Sequence, residues 1–458
     1  MIRRQDIDLC EGPILKSVLL YTIPIVLTGL LQLLFNAADL VVVGRYCGSL
    51  SVAAIGATST VIHLLINLFM GLSVGAGVLV AQAWGARDGE AVQATIHTAI
   101  PAALAGGVIV AAAGLLGTER ILSVLNVPED AAGLSAIYMR IYLAGAVCSL
   151  VYNFCAAILR AVGDTQRPLF YLTVSGAVNV ALNLLFVRVF EMNVAGVAMA
   201  TVLSQALSAL LALLALSRRT DACQLHLDGL RLDAVQLKRM LRIGIPAGIQ
   251  SITFQVSNLI IQSSLNSFGS AVMAGSSASG NIEGFVNVTM TSFQQAAMNF
   301  TAQNYGAGRN RRVGRIFLLC MASTVVVSVS LSTLICAFGE RLLGIYIVDS
   351  AEALGYGMLR MRFILRFLFL CGVVDVCTGC LRGLGYSLLP MAVSILGVCG
   401  VRICWIFTVF QIPRFHTLSC IFVIYPISYF LTGTLLCIWT GTALRRIGRE
   451  MPAEVSRG

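Results

Sequence analysis

Three carboxylates sit where the chain is otherwise apolar: Asp39, Glu283 and Asp375, out of 21 acidic residues. An ionised carboxylate at the centre of a membrane helix costs about 2.5–3.5 kcal/mol on insertion scales, so such a group usually faces a cavity and marks an ion or substrate path. The chemistry this suits is reversible: taking up and releasing a proton or a small cation. Asp39 has the richest setting. In LQLLFNAADLVVVG, residues 31–44, Gln32, Asn36 and Asp39 recur at spacings of four and three, which places them on one helix face. Asn179 and Asn183 form an amide pair at i, i+4. Further along, Gln255, Asn258 and Gln262 make a comparable stripe, and Glu283, Asn287 and Gln294 another. Asp375 has only Thr378 and the Cys371 sulfur at helical spacing. Gln32, Gln255, Asn258, Glu283, Asn287 and Asp375 are therefore expected to line a substrate cavity, although intramembrane amides also serve simply to hold helices together. His63 and His97 are expected to close buried hydrogen bonds, while His63, with Asn67 four residues on, could also face the path.

The elements that must position these groups follow from composition. Of 458 residues, 58% are hydrophobic and 11% charged, and the mean hydropathy is +0.87. Soluble domains carry about 25% charged residues, so this chain is an integral membrane protein. Apolar runs near 17–43, 53–81, 93–117, 134–158, 168–188, 194–216, 242–267, 276–302, 316–338, 358–380, 388–410 and 418–441 are each about long enough to cross a bilayer as a helix. Runs of this length exclude a barrel, whose strands alternate over about 10 residues. The expected fold is all-α, with twelve transmembrane helices.

Charge sets the expected orientation. Arg3, Arg4, Arg87, Arg160, Arg167, Arg218, Arg219, Arg231, Lys238, Arg239, Arg309, Arg311, Arg312, Arg315, Arg445, Arg446, Arg449 and Arg457 fall on one side. Glu119, Glu129, Asp130, Asp349 and Glu352 fall on the other, so both termini are expected in the cytoplasm. Arg360, Arg362 and Arg366 lie at the outer end of the tenth span and are expected to snorkel to the interface, with lining of an extracellular vestibule as the alternative. The net charge of +10 reflects this asymmetry, and no basic stripe interleaved with aromatics points to nucleic acid. The polar start MIRRQDIDLCEGPILK is not followed by a small-residue cleavage site, so the first span is expected to remain as an anchor. Most of the 14 cysteines lie singly in apolar runs, where they behave as small hydrophobes. Cys377-Thr-Gly-Cys380 lacks the second ligand pair that a structural zinc site needs, and no metal or other cofactor is expected.

The chain is also a duplicated half. Ile23-Pro24 reappears as Ile245-Pro246, and Leu159-Arg160-Ala-Val-Gly163 as Leu381-Arg382-Gly-Leu-Gly385, both at an offset of 222 residues. Ala81-Gln82-Ala-Trp-Gly85-Ala86 matches Ala302-Gln303-Asn-Tyr-Gly306-Ala307 at 221. Two parallel six-helix bundles are expected, 1–216 and 241–444, joined by a cytoplasmic linker at 217–240 and followed by a tail at 445–458. Such repeats are typical of secondary transporters, with the path between them. The amide Asn36 is kept as Asn258, whereas Asp39, Glu283 and Asp375 meet Ile261, Ile62 and Asn153 in the other half. Pro24 and Pro246 each stand inside a helix, where proline removes a hydrogen bond and bends the chain.

The paired halves, the first-span proline and aspartate, and the connections LRAVGDTQRP and LRGLGYSLLP together resemble the multidrug and toxic compound extrusion (MATE) family, bacterial type, within the MOP flippase superfamily. The segment AGSSASGNIEGFVNVTMTSFQQAAMNFTAQNYGAGRNRR is similar to the eighth-span signature of that family, and the resemblance covers essentially the whole chain. It implies export of organic, often cationic compounds in exchange for H⁺ or Na⁺ across the bacterial cytoplasmic membrane. It also implies that Pro24 is a hinge, and that Asp39 binds the coupling cation with Asn36, Asn179 and Asn183 around it. Many members carry aspartate where this chain has Asn183, and a glutamate near Gln255, so two acidic charges of the family pattern are missing. The solitary Asp39 favours a proton as its ligand, and a monomer is expected. A lipid-linked precursor flippase is the alternative; it calls for bases inside the spans, of which Arg402 is the clearest. A membrane enzyme or receptor ranks last, since no catalytic constellation stands out.

Overall fold

A computed structural model describes residues 7–125, 127–347 and 350–449. Arg3, Arg4, Asp349, Arg457 and the tail after Arg449, used above to orient the chain, lie outside the described residues. Among the described residues there is no strand. Within hydrocarbon a backbone must satisfy its own polar groups, and a helix does so along its length.

The elements repeat in order. In the first half these are α1 (Ile14–Tyr46), α2 (Ser49–Gly85), α3 (Gly89–Val124), α4 (Glu129–Ala144), α5 (Ala146–Ala161), α6 (Gln166–Leu184) and α7 (Asn193–Ser217). In the second they are α8 (Ala234–Asn266), α9 (Ser270–Gly306), α10 (Asn310–Ala337), α11 (Gly339–Tyr346), α12 (Ala351–Ile364), α13 (Phe369–Gly383), α14 (Leu388–Ser394), α15 (Val401–Phe407) and α16 (Leu418–Arg449). The duplication is visible in the lengths: α1 and α8 have 33 residues each, α2 and α9 have 37 each. The α4–α5 and α12–α13 pairs are both bent by 42°. The fifth span of each half, which begins with α6 in the first and runs from α14 to α15 in the second, contains a π-helical stretch, Leu185–Val189 and Ile395–Gly400. The shared glycines of the LRAVG and LRGLG connections have φ of 95° at Gly163 and 92° at Gly385, a left-handed conformation that glycine adopts without strain.

By length and composition eight helices can cross a membrane, or ten spans if each bent pair counts as one. The long α8 and α9 fall outside that set because amides, hydroxyls and Glu283 interrupt their apolar runs. Asp233 caps α8: its carboxylate accepts from the Val235 and Gln236 amides at 2.8 and 3.0 Å, which holds the carboxyl below the usual range.

The chain forms two compact units whose limits differ from the lobes drawn from the sequence. Among the described residues the first comprises 7–8 and Ile23–Gly248, the second Leu9–Thr22 and 249–449. Each half therefore lends the start of its first helix to the other, and the exchange points fall beside Pro24 and Pro246. The two exchanged segments are held by different means. In the first unit, α8 lies backbone to backbone on α2: a Cβ at Gly71 would stand 2.4 Å from the Gly248 nitrogen, and one at Gly248 would stand 2.4 Å from the Leu68 oxygen. Small residues at i, i+4 on both helices (Gly71 and Gly75, Gly244 and Gly248) permit this approach. In the second unit the start of α1 is held by side chains. Asn299 donates to the Tyr21 hydroxyl at 2.7 Å, and Asn304 donates to the Leu9 carbonyl at 2.9 Å.

The connection after α7 docks on the first unit through His97. This histidine is buried, and its Nε2 accepts the His226 backbone N–H at 3.1 Å, a structural bond of the kind expected.

Candidate functional site

In the first unit α1, α2, α4 and α7 surround a cavity of about 190 Å³, lined by Asn36, Asp39, His63, Tyr138 and Tyr142 among apolar neighbours. Asp39 reaches it from α1, while Asn183 approaches from α6, fully buried, and donates from Nδ2 to the Asp39 carboxylate at 2.5 Å. The same Nδ2 donates to the Asn179 Oδ1 at 3.3 Å. The i, i+4 amide pair thus forms a relay in which Asn179 fixes Asn183 and Asn183 fixes the carboxylate. Among the described residues no cation pairs with Asp39. The structure brings Asp39, Asn179 and Asn183 into direct contact and sets Asn36 on the cavity wall. Gln32 is exposed on α1 and does not line the cavity. His63 lines it, so of the two roles open to it in the sequence the structure favours facing the cavity over closing a buried bond. Tyr138 and Tyr142 were missed; their i, i+4 spacing on α4 was the available signal.

The second unit arranges its ionisable groups differently. Glu283 on α9 is buried in a two-point ion pair with Arg360 on α12, Nε to Oε1 at 2.8 Å and Nη2 to Oε2 at 2.9 Å. Ser279 donates to the same carboxylate at 3.0 Å, and Arg360 donates to Ser276 at 2.6 Å. A fork-to-fork pair with these extra bonds leaves the carboxylate fully engaged. Glu283 is therefore a structural counter-charge, contrary to its expected place on a substrate cavity, and Arg360 is buried and does not snorkel. Arg362 and Arg366 are exposed.

Asp375 on α13 feels the charge of Arg382, seven residues on along the same helix, and that arginine donates to Gln250 at 2.7 Å. The spacing of seven was the unused signal. Arg402 on α15 is buried, donates to Ser428 at 3.0 Å and to Asn258 at 3.2 Å, and lies 4.2 and 4.7 Å from the ring centres of Tyr425 and Tyr429. Gln255 and Asn287 are partly buried on α8 and α9. The two members of the C-x-x-C pattern point to different partners: the Cys377 sulfur lies 3.6 Å from that of Cys437, and Cys380 accepts from Thr301.

An all-helical, multi-pass membrane protein built from two copies of one element order, with a partly buried carboxylate on a cavity, has the construction of a secondary transporter. A family model described as MatE matches residues 24–185 and again 246–408, each match opening on one of the two paired prolines. The chain belongs to the MATE family of transporters. It is 26% identical over 428 residues to a probable multidrug resistance protein, YoeA, of Bacillus subtilis strain 168, covering 92% of each chain. It is 22% identical over 375 residues to the multidrug export protein MepA of Staphylococcus saprophyticus, covering 82% of this chain and 83% of the relative. A crystal structure of MATE in complex with MaL6 superimposes with a TM-score of 0.91 at 20% identity, covering 97% of this chain and all of that one, which establishes the shared fold.

Proposed function

We propose that this protein exports organic, amphipathic, cationic compounds from a bacterial cell in exchange for H⁺ or Na⁺. It does so as a monomer with twelve spans in the cytoplasmic membrane and both termini inside. The observation that carries this reading is Asp39: a carboxylate on a cavity, with no cation paired to it among the described residues and with Tyr138 and Tyr142 beside it. A carboxylate attracts a cation, and tyrosine faces accommodate an organic one. The names of the multidrug relatives agree with such a substrate. A cation arriving from outside and the compound leaving from inside would compete for the same charge, which makes exchange obligatory. Pro24, beside the point where α1 passes from one unit to the other, is the hinge in this scheme. The Asn183 amide, which needs no charge of its own, fixes the carboxylate while leaving its negative charge unneutralised.

The test is efflux of ethidium from proteoliposomes under an imposed pH gradient or an imposed Na⁺ gradient. Asp39→Asn should insert normally and lose ion-driven efflux. Undiminished ion-driven efflux by that variant would overturn the reading, and whichever gradient drives the unaltered protein identifies the ion.

A further inference from the structure

Arg402 is the clearest group that this scheme leaves without a task. Its guanidinium is 1% exposed in the core of the second unit, and among the described residues no carboxylate pairs with it. Its Nη2 makes no hydrogen bond. Its immediate partners are neutral: the Ser428 hydroxyl, the Asn258 amide, the Tyr425 ring, the Tyr429 ring and hydroxyl, and the Cys371 thiol, beyond which stands Asp375. Of the two acids that might have answered it, Glu283 is bound by Arg360 and Asp375 feels the charge of Arg382. A buried guanidinium with a free N–H edge and no counter-ion is a site built for an anion.

The way in is marked by Asn258. This residue is exposed, and its contact with Nη1, at 3.2 Å, is the longest polar contact in the cage. An incoming carboxylate would displace one weak neutral acceptor and gain two parallel charge-assisted bonds, to Nη1 and the free Nη2. The single unmatched positive charge suits a monoanion, since Arg360, which also faces Tyr425 and Tyr429, is already neutralised by Glu283. The aromatic walls suit a carboxylate attached to an apolar or aromatic body. Arg402 also follows the π-helical stretch Ile395–Gly400 in its helix, a backbone irregularity common at functional positions.

We propose that the second unit holds a binding site for the carboxylate of an amphipathic compound, recognised by Arg402, with the Asn258 amide as the acceptor that the carboxylate replaces. The site is separate from the Asp39 cavity, and its occupancy does not depend on ion-coupled export. Its consequence is that zwitterionic and anionic amphiphiles are ligands of this protein alongside cations.

The experiment is equilibrium binding of dansylglycine, and of its uncharged methyl ester, to the full chain in detergent. The unaltered protein should prefer the acid by roughly tenfold or more, the value of one charge-assisted pair. Arg402→Gln should abolish that preference, and Arg402→Lys, which keeps the charge and loses the fork, should keep only part of it. Asn258→Ala removes the competing acceptor and should tighten acid binding several-fold without changing ester binding, a response that a purely structural Arg402 would not produce. If Arg402→Gln fails to fold, the acid-to-ester ratio of the unaltered protein and the Asn258→Ala response decide together. Equal affinity for acid and ester overturns the proposal, as does an Asn258→Ala variant that binds the acid no better. Competition by chloride or by phosphatidylglycerol micelles at lower concentration than by dansylglycine would assign the site to a free anion or a lipid headgroup and overturn the carboxylate assignment.

Discussion

The neighbourhoods of Asp39 and Arg402 are corresponding places in two copies of one scaffold, and they carry opposite charge. In the first unit a carboxylate on α1 meets an amide pair on the fifth span, Asn179 and Asn183. In the second unit the amide Asn258 on α8 meets a guanidinium, Arg402, on the fifth span. Asn36 and Asn258, equivalent by the repeat, are present in both. What separates the halves is which of two facing helices carries the charge, and its sign. Duplication preserved what packs and released what ionises. The second unit also binds one of its two intramembrane acids in an ion pair, because Glu283 is matched by Arg360, while Asp39 in the first unit has no such partner among the described residues.

The comparison can be broken most sharply at its two acids. Asp39→Asn should eliminate ion-driven ethidium efflux while leaving thermal stability in detergent near that of the unaltered protein, because a neutral amide still bonds Asn183. Glu283→Gln should do the reverse in kind. It leaves the Arg360 charge buried and unpaired, and it should cost about 3–5 kcal/mol of stability, read as a lowered melting temperature. The double replacement Glu283→Leu with Arg360→Met should recover most of that loss, which a cavity-lining role for Glu283 would not allow.

A smaller effect separates the two ways of holding an exchanged helix start. Gly71→Ala pushes a methyl group into the α8 backbone and should cost about 1–3 kcal/mol. Ser292→Ala, the equivalent position on α9, should cost less, since α1 is held there by Tyr21 and Asn299. Equal losses in thermal melts would remove the distinction. Smallest of all is Glu11→Gln. It breaks the exposed 3.3 Å pair with Arg309, and a melt should register less than about 1 kcal/mol.

Much of this was legible in the sequence, and the limit has a physical form. The apolar runs and the 222-residue repeat are properties of the chain read along itself, and the order and lengths of the helices follow the repeat closely. Asp39 was identifiable because its companions Asn36 and Gln32 lie on the same helix face. Arg360 was misplaced because its position near a span end suggests an interfacial base. Its partner Glu283 lies 77 residues away, and only the packing of α12 on α9 joins them. Asn258 and Arg402 stand 144 residues apart in the same situation. For His63 the sequence left two roles open, because periodicity gives the face a residue occupies and not what lies opposite that face.

The sequence by itself determined that the chain spans a membrane, is made of two like halves, and keeps a carboxylate in its first span, because each of these rests on composition or on spacing within one segment. Tertiary structure decided which charges are spent on one another and which remain available. That choice depends on distances between helices remote in sequence, where a contact of 2.8 Å between Arg360 and Glu283 neutralises one acid and the lack of such a partner leaves Asp39 exposed to its cavity. It also decided that the units exchange their first helix starts beside Pro24 and Pro246, since the packing of α1 and α8 on either side of those prolines is a property of the folded chain.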